Sequence, residues 1–346
     1  MFGMSNRKYA FDVWSECRVR ETKTLNETEE LKSKKLAKTI VALLLITIIL
    51  GVLLWNAPFI FSTFQKIIGL QPSSTYTHEE LVEYALSLIN SDRTQHGVQN
   101  VSLSSVNSAQ QHADNMLTYQ FFSHWDMNGY KPYMRYTLAG GKGSVAENVA
   151  WQFSTGTFDL KEAIRNLEWQ MMYNDSKWDW GHRENILNPF HNKVSIGIAY
   201  DKHNLYLVQD FENDYIEWSA MNVAENGEVT MSGTFQKREL SAEWISIFYD
   251  SMPLNLTSEQ LKTPDYSGSY TQGTFVGMAV PPGYKSPEGI TITAQKWDQI
   301  GRTFQIRFNL SPAFNSYDEG VYTLYLQPDP DVTEDSLTSY SFWYDG

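Results

Sequence analysis

Four short segments in the middle of the 346-residue chain concentrate imidazole, carboxylate and amide side chains, the groups that ligate metals and move protons. They are Phe121-Phe-Ser-His-Trp-Asp126, Ala146-Glu-Asn-Val-Ala-Trp151, Gly181-His-Arg-Glu-Asn-Ile-Leu-Asn-Pro189, and the pair Ile196-Gly-Ile-Ala-Tyr200 with Val208-Gln-Asp-Phe211. Other chemistries lack their residues. The chain has no G-x-S-x-G elbow, no H-E-x-x-H, no P-loop and no dinucleotide fingerprint after a strand. The only cysteine is Cys17, ahead of a long apolar run, so the rest of the chain has neither a disulfide nor a thiol nucleophile. Any hydrolytic activity has to run through the imidazoles and carboxylates of these segments.

The elements around them read as helices first and strands after. Thr77 followed by Glu80 is a capping-box pattern, and Leu81, Tyr84, Ala85, Leu88 and Ile89 recur at helical spacing. A second helical run covers Ser104 to Tyr119, with Ala109, His112, Ala113 and Met116 on one side, and a third covers Leu160 to Tyr173. Ser195 to Tyr200 and Leu205 to Phe211 flank the turn Asp201 to Asn204 and read as a hairpin. Together they predict an α+β layered domain over 77–215. Beyond Glu217 the period becomes two: Glu228–Phe235, Trp244–Tyr249, Gly273–Ala279, Ile290–Ala294, Thr303–Asn309 and Val321–Leu326 predict a β-sandwich without helices over 217–346. Within it, Asp318-Glu-Gly-Val-Tyr322 resembles the D-x-G-x-Y stretch of immunoglobulin-like domains, which implies a tyrosine corner at Tyr322, with Leu324 where a cysteine is often found.

Residues 39–62 carry no charge and as a helix reach roughly 36 Å, enough to span a bilayer core. The apolar run exceeds a signal-peptide core and follows 38 residues, which predicts an uncleaved signal-anchor. Lys32, Lys34, Lys35 and Lys38 just before it place the 1–38 tail in the cytoplasm and everything after the span outside. Residues 63–76 read as a linker. Of 27 Lys/Arg and 40 Asp/Glu, the tail holds nine and six; the remaining 18 and 34 give the outer part a net formal charge of −16. That charge weighs against nucleic acid as a partner. Sequons at Asn100, Asn174, Asn255 and Asn309 permit glycosylation where the host has the machinery.

The four segments, in this order, resemble the CAP superfamily of cysteine-rich secretory, antigen-five and pathogenesis-related proteins over 77–215, and G-H-R-x-N-I-L followed by I-G-I-A-Y resembles its prokaryotic branch. The resemblance implies a three-layer α-β-α sandwich with a cleft of two histidines and acidic residues that in several members holds a divalent cation. On that basis His124 and His182 match the cleft histidines, Glu147 the first cleft glutamate and Gln209 the glutamine of the last strand motif; Asp126 and Asn148 fall in the same motifs. Two imidazoles and a carboxylate agree in kind with an open Zn²⁺ site, which makes Zn²⁺ or another divalent cation the expected cofactor and Glu147 the candidate catalytic group. Two readings stand side by side here: a metal centre, or a metal-free network in which His124 and His182 hydrogen-bond Glu147. One departure bears on the choice, because the second family glutamate is expected three residues after Trp169, where this chain has Met172; Glu168 and Asp175 are the nearest acids.

His112, His191 and His203 have no counterparts in the family cleft and read as surface or half-buried residues. Trp151, Trp169, Trp178 and Trp180 read as core packing in the main, with a binding groove as the rival. The leading functional expectation is a membrane-anchored extracellular binding module for a polymer, protein or lipid. The alternative is a metal-dependent, peptidase-like hydrolase acting through His124, Glu147 and His182, and lipid carriage ranks below both.

Overall fold

The computed structural model describes residues 76–156 and 159–346, all within one compact unit. The tail and the apolar run at 39–62 lie outside the described residues. Among the described residues no helix is long and apolar enough to cross a membrane.

The N-terminal half is built on a four-stranded sheet in the order β1-β3-β4-β2, formed by β1 (Ser102–Leu103), β2 (Ser144–Phe153), β3 (Lys193–Tyr200) and β4 (Asn204–Asn213). The expected hairpin is β3 and β4, paired from Lys193↔Glu212 to Tyr200↔Leu205. Antiparallel to β4 on its other side runs β2, a strand not foreseen because Ala146-Glu-Asn-Val carries polar groups toward both faces.

Helices cover both faces of this sheet. On one side α1 (His78–Gln95), α4 (Leu160–Tyr173) and α5 (Gly181–Leu187) pack Leu81, Ile89, Ile164, Leu167 and Ile186 against Ile196, Ile198, Leu207 and Phe211. The capping box predicted for α1 is present, with Thr77 Oγ accepting from Glu80 N and Glu80 accepting from Thr77 N. On the opposite side α2 (Ser108–Tyr119) packs Ala109, Ala113 and Met116 against Val149, Tyr206 and Val208. It sits so close that a Cβ on Gly197 of β3 would come within 2.1 Å of Ala109 O, which is why the I-G-I-A-Y motif has glycine at that place. A short α3 (Pro132–Leu138), also unforeseen, follows with proline in its first turn.

The C-terminal half is two facing sheets, one ordered β10-β11-β6-β5 and the other β13-β12-β7-β8-β9. Its strands are β5 (Ile216–Val223), β6 (Glu228–Phe235), β7 (Trp244–Ser251), β8 (Thr274–Val280), β9 (Ile290–Thr293), β10 (Lys296–Ile300), β11 (Thr303–Asn309), β12 (Gly320–Gln327) and β13 (Tyr340–Tyr344). All six expected strands are present within a few residues. The expectation of an all-β, helix-free sandwich needs correction: α6 (Ser258–Leu261) and α7 (Ser311–Tyr317) interrupt the strands, and β8 pairs with β9 in parallel. The parallel pair follows from the long connection 281–289, which returns β9 to run in the same direction as β8. Tyr322 makes the corner bond expected of it, its hydroxyl donating to Asp318 O at 2.8 Å.

The two halves share an interface. The 252–272 connection between β7 and β8 lies across the α2 face, burying Leu256 and Leu261 in the same cluster as Met116 and Val208. Lys131 Nζ and the Tyr133 hydroxyl both reach Asp250, at 2.7 Å each, and Ser339 N donates to Gly143 O at 2.9 Å.

Candidate functional site

Successive side chains of a strand point to opposite faces, and that rule divides the candidate residues. On β2, Glu147 points with Val149 toward the α2 face, while Asn148 points with Ala150 toward α1, α4 and α5. Their cross-strand partners on β4, Asp210 and Gln209, divide in the same way.

On the α2 face Glu147 is buried and both of its oxygens are engaged. Oε1 lies 2.8 Å from His124 Nδ1, and Oε2 is bonded by the Arg135 guanidinium of α3. Arg135 is held in turn by His124 O at 2.6 Å and Tyr130 O at 2.9 Å. Asp126 serves this loop rather than the cleft: its Oδ1 accepts from Asn128 N and Tyr130 N and so sets the carbonyl that Arg135 needs. Beneath, Ser108 donates to Asp210 Oδ2 at 2.5 Å. Burial raises the Glu147 carboxyl against the opposing pull of Arg135. Burial, then the charge of Glu147, raises Asp210 well above the usual carboxylate range. Burial and then Arg135 push His124 down to about 3, so its imidazole is neutral and Nδ1–H donates to Glu147. The C-terminal half roofs this group: the Tyr270 ring lies 4.9 Å from the His124 ring, and its hydroxyl accepts from Glu147 N at 3.2 Å.

On the opposite face His182 sits at the start of α5 and is bound by Asp175, with Nδ1 to Oδ1 at 2.6 Å and its backbone N–H to Oδ2 at 2.9 Å. Asn148 Nδ2 donates to His182 O at 3.0 Å and to Gln209 Oε1 at 3.3 Å, and Asn185 donates to Asn148 Oδ1 at 2.8 Å. Gln209 Nε2 then donates to Glu168 Oε2 at 2.5 Å. Glu168 is buried with no hydrogen-bond partner on Oε1 among the described residues, and burial pushes its carboxyl up to about 8. Glu168 lies one helical turn before Met172, and Met172 is buried in the core. Position 172, where the resemblance implies a carboxylate, is thus apolar, and the two nearest acids bind elsewhere, Glu168 to Gln209 and Asp175 to His182.

Structure therefore brings His124 and Glu147 together and pairs His182 elsewhere. Among the described residues no group of three or more His, Cys, Asp or Glu side chains is placed to hold a metal ion. The expected set of His124, Glu147 and His182 does not fit a cation as a unit, for two physical reasons. Glu147 has Arg135 and His124 on its oxygens, and His182 comes from a helix packed on the other face of β2. Each imidazole keeps only Nε2 without a protein partner among the described residues, its Nδ1 being oriented by a carboxylate.

Sequence reasoning missed Arg135, Asp210 and Tyr270, and named Asp175 only as a nearby acid. Asp210 lay in the quoted V-Q-D-F segment and could have been found from its strand register, whereas Tyr270 comes from the other half and carries no local signal. Two histidines read as surface or half-buried are buried: His112 Nε2 meets Ser123 O at 2.8 Å, and His191 stacks on Phe211 with Nδ1 at 2.8 Å from Asn213 Oδ1. His203 is half-buried against Ser154 O.

The four tryptophans read mainly as core packing are largely exposed. Trp151, Trp169, Trp178 and Trp180 are 44%, 54%, 41% and 40% exposed. Trp178 stands edge-on to His182, and Trp180 and Tyr173 flank the Arg183 guanidinium at 6.0 and 5.8 Å. Asp179 and Trp180 hold left-handed backbone at φ 55° and 63°, a conformation non-glycine residues adopt at a cost. A cavity of about 630 Å³ opens beside them, lined by Tyr173, Trp180, Arg183, Glu184 and Leu187.

The raised Glu168 carboxyl yields a signed pH dependence. The folded chain keeps this proton while the unfolded chain releases it near 4.5, so the contribution of Glu168 is intact below pH 4.5 and declines as pH rises to about 8. Glu168→Gln should therefore gain on the native chain across that window, by up to about 1.4 kcal/mol per pH unit, in urea unfolding followed from pH 5 to 8. A gap independent of pH would show that Glu168 is ionised in the folded protein.

Comparison with known families bears on the same residues. The family model described as CAP, the cysteine-rich secretory protein family, matches residues 86–211. No curated protein matches the chain. Among solved structures, an extracellular SCP-domain protein of Bacillus anthracis is similar at 20% identity over 41% of this chain and 45% of that one, with a TM-score of 0.31. An outer surface protein of Borrelia burgdorferi is similar at 13% identity over 40% of this chain and 96% of that one, with a TM-score of 0.32. The CAP domain of enterococcal PrgA is similar at 15% identity over 39% of this chain and 62% of that one, with a TM-score of 0.30. This chain thus spans less than half of the Bacillus anthracis protein. The matched segment contains both halves of the site just described, so the likeness to the CAP family belongs to residues 86–211 and to the fold and site built there.

Proposed function

We propose that this chain is a membrane-anchored, extracytoplasmic binding module that engages an envelope or extracellular ligand through the α5 half of its CAP domain. The single observation that carries this reading is the asymmetry of the site. The His124–Glu147–Arg135 half is roofed by Tyr270, whereas the His182 half bears exposed Trp178 at the His182 ring and an open cavity lined by exposed Trp180 and Tyr173, with exposed Trp169 against Tyr173. Exposed aromatic rings gathered around a cavity favour ligand contact over packing. A hydrolase acting through His124, Glu147 and His182 is the weaker reading: Glu147 is pinned by a guanidinium and cannot both hold that ion pair and activate water. No step of the proposed function runs through a metal.

Anchoring rests on the uncharged run at 39–62 and the four lysines before it. The side assigned to the tail is checked by labelling Cys17 with a membrane-impermeant maleimide. Intact cells should give no label and permeabilised cells full label, while equal labelling of intact cells would reverse the topology.

Binding is checked by sedimenting the purified full-length protein with isolated cell envelopes of the source organism. The native chain should sediment with them, and Trp178→Ala with Trp180→Ala should weaken the association at least tenfold while the fold, read by circular dichroism, is kept. Equal sedimentation of native and double variant would remove the α5 face as the ligand site.

A further inference from the structure

A wide groove lies in the C-terminal half, away from the CAP cleft. Its volume is about 910 Å³, within the range of ligand sites, and it lies between the edge of one sheet at β10 and the neighbouring β8 of the other. Its lining includes the aromatic rings of Trp244, Trp297 and Tyr284 and the apolar side chains of Met278, Val280 and Ala242. Trp297 packs against the sandwich core, whereas Tyr284, on the 281–289 connection, is 69% exposed.

The polar edges of the two indoles are already engaged. Trp297 Nε1 donates to Ala242 O at 2.9 Å and Trp244 Nε1 to Ser246 Oγ at 3.2 Å. Gln299 is engaged as well, its Oε1 accepting from Ala242 N at 3.0 Å and its Nε2 donating to Leu240 O. The walls therefore offer ring faces and not N–H groups. The rim adds two side-chain charges of opposite sign, Glu243 and Lys285, neither of them paired among the described residues.

Three classes of occupant can be weighed on this chemistry. A polyanion is disfavoured by a rim of zero net charge on an outer part that carries −16. A proline-rich peptide lying in an aromatic groove needs donors for its carbonyls, and the indole N–H groups that would supply them are bonded internally. A neutral sugar chain needs flat faces for its apolar C–H surfaces and a charged rim for its hydroxyls, which is what the groove presents. We propose that the groove between β8 and β10 binds an uncharged oligosaccharide, its rings stacking on Trp244, Trp297 and Tyr284 and its hydroxyls reaching Glu243 and Lys285.

The test titrates the full-length protein, in a detergent without a sugar headgroup, with tetrasaccharides of glucose, mannose, galactose and N-acetylglucosamine. A proline decapeptide and a sulfated tetrasaccharide are titrated alongside. The readouts are calorimetry and tryptophan fluorescence. At least one neutral tetrasaccharide should bind, Trp244→Ala should lose at least tenfold in affinity, and Tyr284→Ala should lose severalfold. Because Tyr284 is exposed, its variant keeps the fold and reports on binding alone. Trp180→Ala should bind the sugar as the native chain does, which separates this site from the CAP face. Failure of all four neutral sugars, tighter binding of the proline peptide or the sulfated sugar, or native affinity in Trp244→Ala and Tyr284→Ala would each overturn the proposal.

Discussion

The CAP half is organised around one buried carboxylate. Glu147 sits where water cannot reach it, and a lone charge there would be costly enough to unfold a domain of ordinary stability. Arg135 and His124 remove that cost, and doing so dictates their surroundings. The guanidinium needs the carbonyls of His124 and Tyr130, the Tyr130 carbonyl needs the turn made by Asp126, and the backbone N–H of Glu147 needs the Tyr270 hydroxyl. Loop 121–131, α3, β2 and the 252–272 connection are thereby tied to one point, which is how the two halves come to share a site.

The same solvation of charge decides what Glu147 can do. A carboxylate with an arginine on one oxygen and a neutral imidazole on the other is a structural anchor, and buried Asp210 beside it is pushed toward its protonated form. Across the sheet, Asn148, Gln209 and Glu168 form a second chain of hydrogen bonds that ends at His182, whose ring edge lies near exposed indoles. One strand pair therefore carries a roofed polar network on one side and, on the other, a network that reaches His182 beside an exposed indole.

Much of this was legible in the chain. Period-two and period-3.6 patterns located α1, α4, the β3–β4 hairpin and six strands of the sandwich, because those elements bury one clean apolar face. The patterns failed where elements serve polar networks: β2 carries Glu147 and Asn148 to opposite faces and reads as neither strand nor helix, and α3 is short and centred on Arg135. His124, Glu147, His182, Asn148 and Gln209 were all found through motif resemblance, and all are joined to hydrogen-bond networks. Their supposed convergence was not legible, since adjacent positions 147 and 148 point apart and only strand register shows it. Tyr270, 123 positions from Glu147, lay beyond the reach of any local pattern.

The central claim is that Glu147 is bound to Arg135 as a structural pair, and a double-mutant cycle measures that bond directly. Urea unfolding of the native chain, Arg135→Met, Glu147→Gln and the double variant isolates the coupling between the two side chains. Removing Arg135 alone should cost about 3–5 kcal/mol, with much of the loss recovered when Glu147 is replaced as well. Strictly additive losses, with no recovery in the double variant, would mean that Glu147 is held by something other than Arg135.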